Sequence, residues 1–305
     1  MKVLVTAANG NVARQVIPLL VADGHRIRAI RGRPGSEAEL LATGVAEVMI
    51  GDIRNADDIA RAVEGVDAIF HVCPGGLAYW ERDIGGEIIF QAERHGVGHV
   101  VFSTLLHPII SDLLQHASKR DVEEMLVSSR LKWTILQPCD YMQTLVPPST
   151  FRTGELPVAY GHEQRHSVVD LRDVAEAAAR VLREGEAHHY ARYELCGRPQ
   201  SIDASELAQV ISEVCGRLVV AKPVTGPEFM RIWAAEDGPP IGSAHGLDDP
   251  AGRAFAREVL VAIERWYGAH VYMGNSNVLR WLLGREPRSV EDYVRSIYRP
   301  ELAES

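Results

Sequence analysis

Cysteine is sparse: Cys73, Cys139, Cys196 and Cys215 are the only four in 305 residues, and no Cys-x-x-Cys pair occurs. That scatter excludes a disulfide-framed scaffold and fits thiols kept reduced in the cytoplasm. No uncharged apolar run reaches the roughly 18 residues of a transmembrane helix. The first seven residues carry one charge and too short an apolar run for a signal peptide, so a cytoplasmic protein is expected. Basic residues are outnumbered, 32 against 41 acidic, and a net charge of -9 argues against nonspecific binding to nucleic acid or membrane. Internal repeats and low-complexity segments are lacking. Hydrophobic content of 46% and charged content of 24% are ordinary for a globular chain. At about 150 residues per domain, the length suggests two.

What is present is a rhythm. Short apolar runs at 2–7, 26–31, 45–50, 67–72, 99–103 and 133–137 alternate with helical patterns. The first helix, 11–22, aligns Val12, Val16, Leu19 and Leu20 on one face; others are expected near 36–43, 55–64, 80–95 and 110–129. Gly24, Gly44, Gly65 and Gly96 stand where these helices should stop. The alternation predicts an α/β fold with a doubly wound parallel sheet. After Pro138 the rhythm changes, and Val146-Pro147-Pro148-Ser149-Thr150 is a breaker cluster. A helix at 171–184 and a strand at 190–196 follow, then a helix headed by the capping pair Asp203 and Glu206 and closed by Gly216. Residues 235–252 read as a mobile loop, before helices near 251–267 and 276–283 and one opened by Ser289. The expected division is a core of 1–145, rejoined by 165–198, and a smaller C-terminal α/β substrate or lid domain of 146–164 and 199–305.

The first strand–turn–helix, Thr6-Ala7-Ala8-Asn9-Gly10-Asn11-Val12-Ala13, has the form A-x-x-G-x-x-A. Dinucleotide sites place glycines here so that the backbone can approach a pyrophosphate resting on the helix N-terminus. Only Gly10 is kept, and the methyl group of Ala7 restricts the turn. An ordinary βα turn of another doubly wound protein fits as well. The second strand ends in Arg31-Gly32-Arg33, with no acid in range to take a ribose 2′-hydroxyl. Two guanidiniums suit a 2′-phosphate, which favours NADP(H) over NAD(H); solvated arginines without a role are the plain alternative.

Further motifs are Gly51-Asp52-Ile53, His99-Val100-Val101-Phe102-Ser103-Thr104, Lys119 with Val122-Glu123-Glu124, Trp133-Thr134-Ile135-Leu136-Gln137-Pro138, Val168-Val169-Asp170 and Leu282-Leu283-Gly284-Arg285. Together with Val5 to Ala13 they resemble the NmrA-like family of atypical short-chain dehydrogenase/reductases over nearly the whole chain. The resemblance implies a Rossmann core of strand order 3-2-1-4-5-6-7 and a smaller domain closing over a cleft. It implies that Thr6, Ala8, Asn9, Gly10, Asn11 and Val12 hold the pyrophosphate, and that Asp52 and Ile53 lie near the adenine. Cys73, Pro74 and Gly75 would line the dinucleotide, with Ser103, Pro138 and Cys139 at later strand ends, and Lys119 would reach the nicotinamide ribose.

Catalysis is less settled. Short-chain dehydrogenases use Tyr-x-x-x-Lys, but four residues before Lys119 stands Gln115. His116 and Tyr141 are rival proton donors, against a hydrogen-bonded structural histidine and simple aromatic packing. His162 and His166 flank Glu163 without a third ordered ligand, so no metal is expected. His188-His189 reads as a solvated turn, and Cys73 and Cys139 as inert thiols. Trp233, Trp266, Tyr267, Tyr272 and Trp281 read mainly as core of the smaller domain, with one or two available for an aromatic pocket wall. The expected function is NADP(H)-dependent hydride transfer to a small quinone, enone or other conjugated or aromatic carbonyl. An NADP(H)-sensing regulator with a protein partner is the alternative, and a nucleotide-free Rossmann relic is the third. A homodimer stays open.

Overall fold

A computed structural model describes residues 1–32, 35, 37–159, 163–235 and 250–299. Arg33, His162 and most of the expected 235–252 loop lie outside the described residues. Eleven strands are present among the described residues: β1 (Lys2–Val5), β2 (Arg26–Arg31), β3 (Glu47–Ile50), β4 (Ala68–His71), β5 (His99–Ser103), β6 (Trp133–Pro138), β7 (Asp140–Tyr141), β8 (Glu155–Val158), β9 (Val168–Val169), β10 (Ala191–Leu195) and β11 (Val220–Pro223). Seven form one parallel sheet in the order β10-β6-β5-β4-β1-β2-β3. This is the expected Rossmann order. Central strands are apolar throughout because helices cover both faces; Val3, Leu4 and Val5 of β1 are all buried.

One face packs on α1 (Asn11–Ala22), with α2 (Glu37–Ala42) near its edge. The other packs on α3 (Ala56–Val63), α4 (Glu81–Arg94) and α5 (Leu114–Ser128). After the short α6 (Ser149–Thr153), which starts on the last two residues of the expected breaker cluster, α7 (Leu171–Glu184) returns to pack on α1. A third apolar cluster joins β8 to α8 (Ala204–Cys215) and α12 (Val290–Ile297), with β8 paired to β11 and β7 to β9. Three helices lie between: α9 (Gly226–Ala234), α10 (Pro250–Tyr267) and α11 (Ser276–Leu283). Residues 250–252, expected in a loop, thus begin α10.

Local chemistry explains the ends. Asp203 and Glu206 make the expected capping box on α8, and Gly216 closes it at φ 66°. The His188-His189 pair departs from the solvated turn expected of it. His188 bonds Tyr193 and Glu184 through its two ring nitrogens, and His189 packs against His99.

One buried carboxylate ties the chain's end to the main sheet. Asp173, in the first turn of α7, accepts from Arg285 Nη2 (2.7 Å), from the Arg288 backbone N–H (2.6 Å) and from the Arg288 guanidinium. Glu176, one turn on, pairs the same two arginines. Asp173→Ala would remove the fully buried acceptor and leave Glu176 as the one carboxylate between the two arginines, with the Arg288 backbone N–H losing its partner. We expect a loss of about 3 kcal/mol, read by urea denaturation.

Candidate active site

The strand order reverses between β1 and β4, which opens a crevice at their C-terminal ends. Thr6 sets its floor. Its hydroxyl accepts from Val72 N and donates to Val72 O, both at 2.9 Å, and lies 3.0 Å from His71 Nδ1. β1 stops at Val5, short of the expected 2–7, because Ala7 turns to φ 47°. A left-handed alanine is strained by about 1–2 kcal/mol. Gly10 N–H donates to Ala7 O (2.7 Å), and a Cβ on Gly10 would lie only 3.0 Å from that oxygen. Gly10 then caps α1 with no side-chain bond to the helix amides. Asn11 and Val12 therefore open a helix whose dipole and N–H groups face the crevice edge, which fits a pyrophosphate.

At the end of β2, Arg31 has an acid in range after all. Glu37 Oε2 lies 3.9 Å from Arg31 Nη1 and accepts from Gly35 N (2.6 Å). Backbone N–H groups hold that carboxylate below its usual pKa, with Arg31 adding to them. After β3, Asp52 is bonded to Arg54, while Ile53 is buried. After β4, Cys73 is buried and its thiol is pushed up by burial and Glu81, so it is inert; Pro74 and Gly75 lead into a short 3-10 turn. Cys139 behaves likewise, raised by burial and by Cys196.

Lys119 and Glu81 form a pair at 3.0 Å with little exposure of either side chain. The ammonium also lies 5.6 Å from the centre of the Phe102 ring. Gln115, where a tyrosine would stand, has a buried Oε1 with no hydrogen-bond partner among the described residues. His116 is buried, with Nδ1 2.9 Å from His107 O. A carbonyl can only accept, so Nδ1 carries the proton, and burial lowers the ring's pKa to about 4. At neutral pH its Nε2 is an acceptor, which is the hydrogen-bonded structural histidine. Tyr141 reaches toward Ser103, whose buried Oγ makes no fully formed hydrogen bond among the described residues and has the Tyr141 phenol as its polar neighbour. That under-satisfied hydroxyl, at the end of β5, fits a polar group of a bound nucleotide. Burial pushes the Tyr141 phenol well up, with Ser103 pulling the other way.

Sequence reasoning missed one cluster. Asp140, the neighbour of Tyr141, lies 3.7 Å (Oδ2) from His166 Nδ1 and accepts from the Tyr267 hydroxyl at 3.5 Å. His166 stacks on Tyr267, ring centres 4.9 Å apart and 6° from parallel. The residues were legible separately; only folding brings α10 against β7. Of the five aromatics singled out, Trp233, Tyr267 and Tyr272 are buried, Trp266 packs against the main core, and Trp281 is exposed.

Two variants probe this geometry. Ala7→Gly should raise stability by about 1 kcal/mol in urea, since glycine accepts the left-handed turn. Lys119→Met should lower stability by about 3–5 kcal/mol, because it leaves Glu81 charged and buried. Adding Glu81→Gln should recover most of that loss; no recovery would show that the pair is not the reason.

Residues 7–185 match the family described as NAD(P)H-binding. The chain is 28% identical over 220 residues to the NAD(P)H azoreductase of Xenophilus azovorans, covering 71% of this chain and 75% of that protein. It is 26% identical over 254 residues to quinone oxidoreductase 2 of Escherichia coli, covering 81% and 84% respectively. The solved structure of that Escherichia coli enzyme with NADPH superposes with a TM-score of 0.75 at 21% identity, over 97% of this chain and 100% of the other. NmrA, a negative transcriptional regulator solved with NADP, gives a TM-score of 0.75 at 19% identity over 97% and 95%. With the crevice, the glycine turn and the parallel order all in place, the chain belongs to the NAD(P)H-binding family and has an NmrA-like Rossmann fold.

Proposed function

We propose that the chain is an NADPH-dependent reductase that transfers hydride to a small quinone, enone or other conjugated carbonyl, acting in the cytoplasm. The observation that carries this is Gln115 in the tyrosine position, with Lys119 tied to Glu81 in place of a phenol. Reducing a plain ketone makes an alkoxide that needs a strong, positioned acid, whose loss costs about 10²–10⁴-fold in rate. A quinone or enone spreads its developing charge, so a modest donor suffices. The azoreductase and quinone oxidoreductase relatives agree with acceptors of that electronic kind.

A bound nicotinamide nucleotide supplies the hydride. The chain's own residues bind and orient it. The amides at the start of α1 receive the pyrophosphate, with Gly10 leaving the approach open. Arg31 takes the 2′-phosphate, which displaces Glu37 as its partner; Arg33 follows two positions on in sequence. Ser103 and Lys119 hold the nicotinamide end, and Lys119 stays anchored by Glu81. A second reading, a nucleotide sensor without turnover, is favoured by the same missing tyrosine and by the likeness to NmrA.

Arg31→Ala should weaken NADPH binding about ten- to hundredfold, equivalent to roughly 1.5–3 kcal/mol of charge-assisted bonding, while NADH binding barely moves. Equal loss for both nucleotides would make Arg31 structural. A panel of quinones, enones and aldehydes, followed by NADPH absorbance, decides between enzyme and sensor. Oxidation with conjugated acceptors is expected; saturable NADPH binding with no oxidation by any of them would favour the sensor.

A further inference from the structure

A cleft beside β7 is walled by apolar side chains, among them Leu145, Leu156, Val158, Leu207 and Phe229. Two polar groups that can carry a proton meet in it, Asp140 and His166, with Asp203 at its lining. The cleft holds about 540 Å3 of empty space counted to its open mouth. An apolar, partly open cleft with a few convergent polar groups is the usual setting for the ring of a small ligand. Among the described residues Asp140 has no lysine or arginine against it: the groups that face it are His166, Tyr267 of α10, Tyr272 beyond α10, and its neighbours Cys139 and Tyr141. A buried carboxylate kept among phenols, thiols and an imidazole is at ease only when it holds or shares a proton.

We propose that Asp140 and His166 bind the oxygen of a conjugated carbonyl substrate and supply its proton, with the substrate's ring edge in the apolar cleft. This rests on the reductase reading and names the donor which that reading lacks. In the balanced step, the acceptor's C=O π bond breaks as hydride and its electron pair arrive from the reduced nucleotide, at carbon or at the conjugated position. An O–H bond forms with the Asp140 proton, the nucleotide leaves oxidised, and the carboxylate regains a proton from solvent through His166. Tyr267 fixes both partners, donating to Asp140 and stacking on His166.

Burial raises the Asp140 carboxyl to about 7, against the pull of the Tyr267 hydroxyl. A proton donor acts in its protonated form, so turnover should be full below that value and fall as pH rises through it. Asp140→Asn keeps the shape and can still accept from Tyr267, but has no titrating proton. With a quinone, it should lower kcat by about tenfold or more near pH 6 and flatten the falling limb, leaving NADPH affinity within about twofold. His166→Gln should lower kcat and move the limb. A structural role would alter the rate without removing the limb, and an unchanged rate and limb in Asp140→Asn overturns the proposal. Binding of 4-fluorophenol, followed by fluorine NMR, separates this proposal from the reductase reading. Binding to the natural chain that weakens about tenfold in Asp140→Asn supports the pair, even if no acceptor is ever reduced and the reductase reading falls. No fluorophenol binding by the natural chain overturns the pair, even if NADPH is oxidised.

Discussion

The hydroxyl of Thr6 is the fixed point of the crevice. It has one proton, which it gives to Val72 O, and it receives the Val72 amide on a lone pair. The remaining neighbour, His71 Nδ1 at 3.0 Å, must therefore be the donor. Nε2 is then a bare acceptor, and it is buried without a partner among the described residues. An unpartnered lone pair costs less than an unpartnered N–H, and burial drives the His71 pKa down to about 3, so the ring stays neutral. Locked this way, β1 and β4 end side by side. The chain can leave β1 through the strained Ala7 turn toward α1 on one face, and leave β4 toward α4 on the other.

The same pinning arranges the charges. His71 stacks on Phe102 at 5.1 Å, and the Lys119 ammonium sits over that ring. Glu81 approaches from α4 and holds the ammonium in place. A lysine fixed from both sides loses its freedom to swing. That suits the role proposed for it at the nicotinamide end of a nucleotide. It also means that the lysine has a structural duty independent of any chemistry, which no spacing rule discloses.

Much of the fold was legible because the sheet is buried on both faces. Continuous apolar runs mark β1, β4, β5 and β6, and glycines at helix ends mark their limits. The elements that were missed are two-residue β7, the single turn α6 that starts at the end of the proline cluster, the paired four-residue strands β8 and β11, whose pairing depends on tertiary contact, and α9. The expected helix at 110–129 begins only at Leu114, because the preceding segment is held as a loop by its own bonds, including His107 to Met273. The site was legible in its glycine turn and in its missing tyrosine. It was not legible at Arg31, where Glu37 lies six residues on and is brought back by the start of α2. Nor could spacing join Asp140 to Tyr267, which are 127 positions apart.

Burial acts in the same direction on two adjacent residues, with opposite consequences. It raises both acids, but they start from different places. Asp140 moves from the usual carboxylate range to about 7, where its proton is held firmly enough to be present and loosely enough to leave. Tyr141, already a weak acid, moves further up, and no cation among the described residues stands by to draw its proton off. The tyrosine of short-chain dehydrogenases is made useful by a lysine at the fourth position along its helix, and here the lysine at that position is bound to Glu81. A phenol without a cation and a carboxyl without a cation thus change places as acids. The same desolvation that disables the one brings the other into the working range, which is how a cleft can lose its tyrosine and still contain a proton donor.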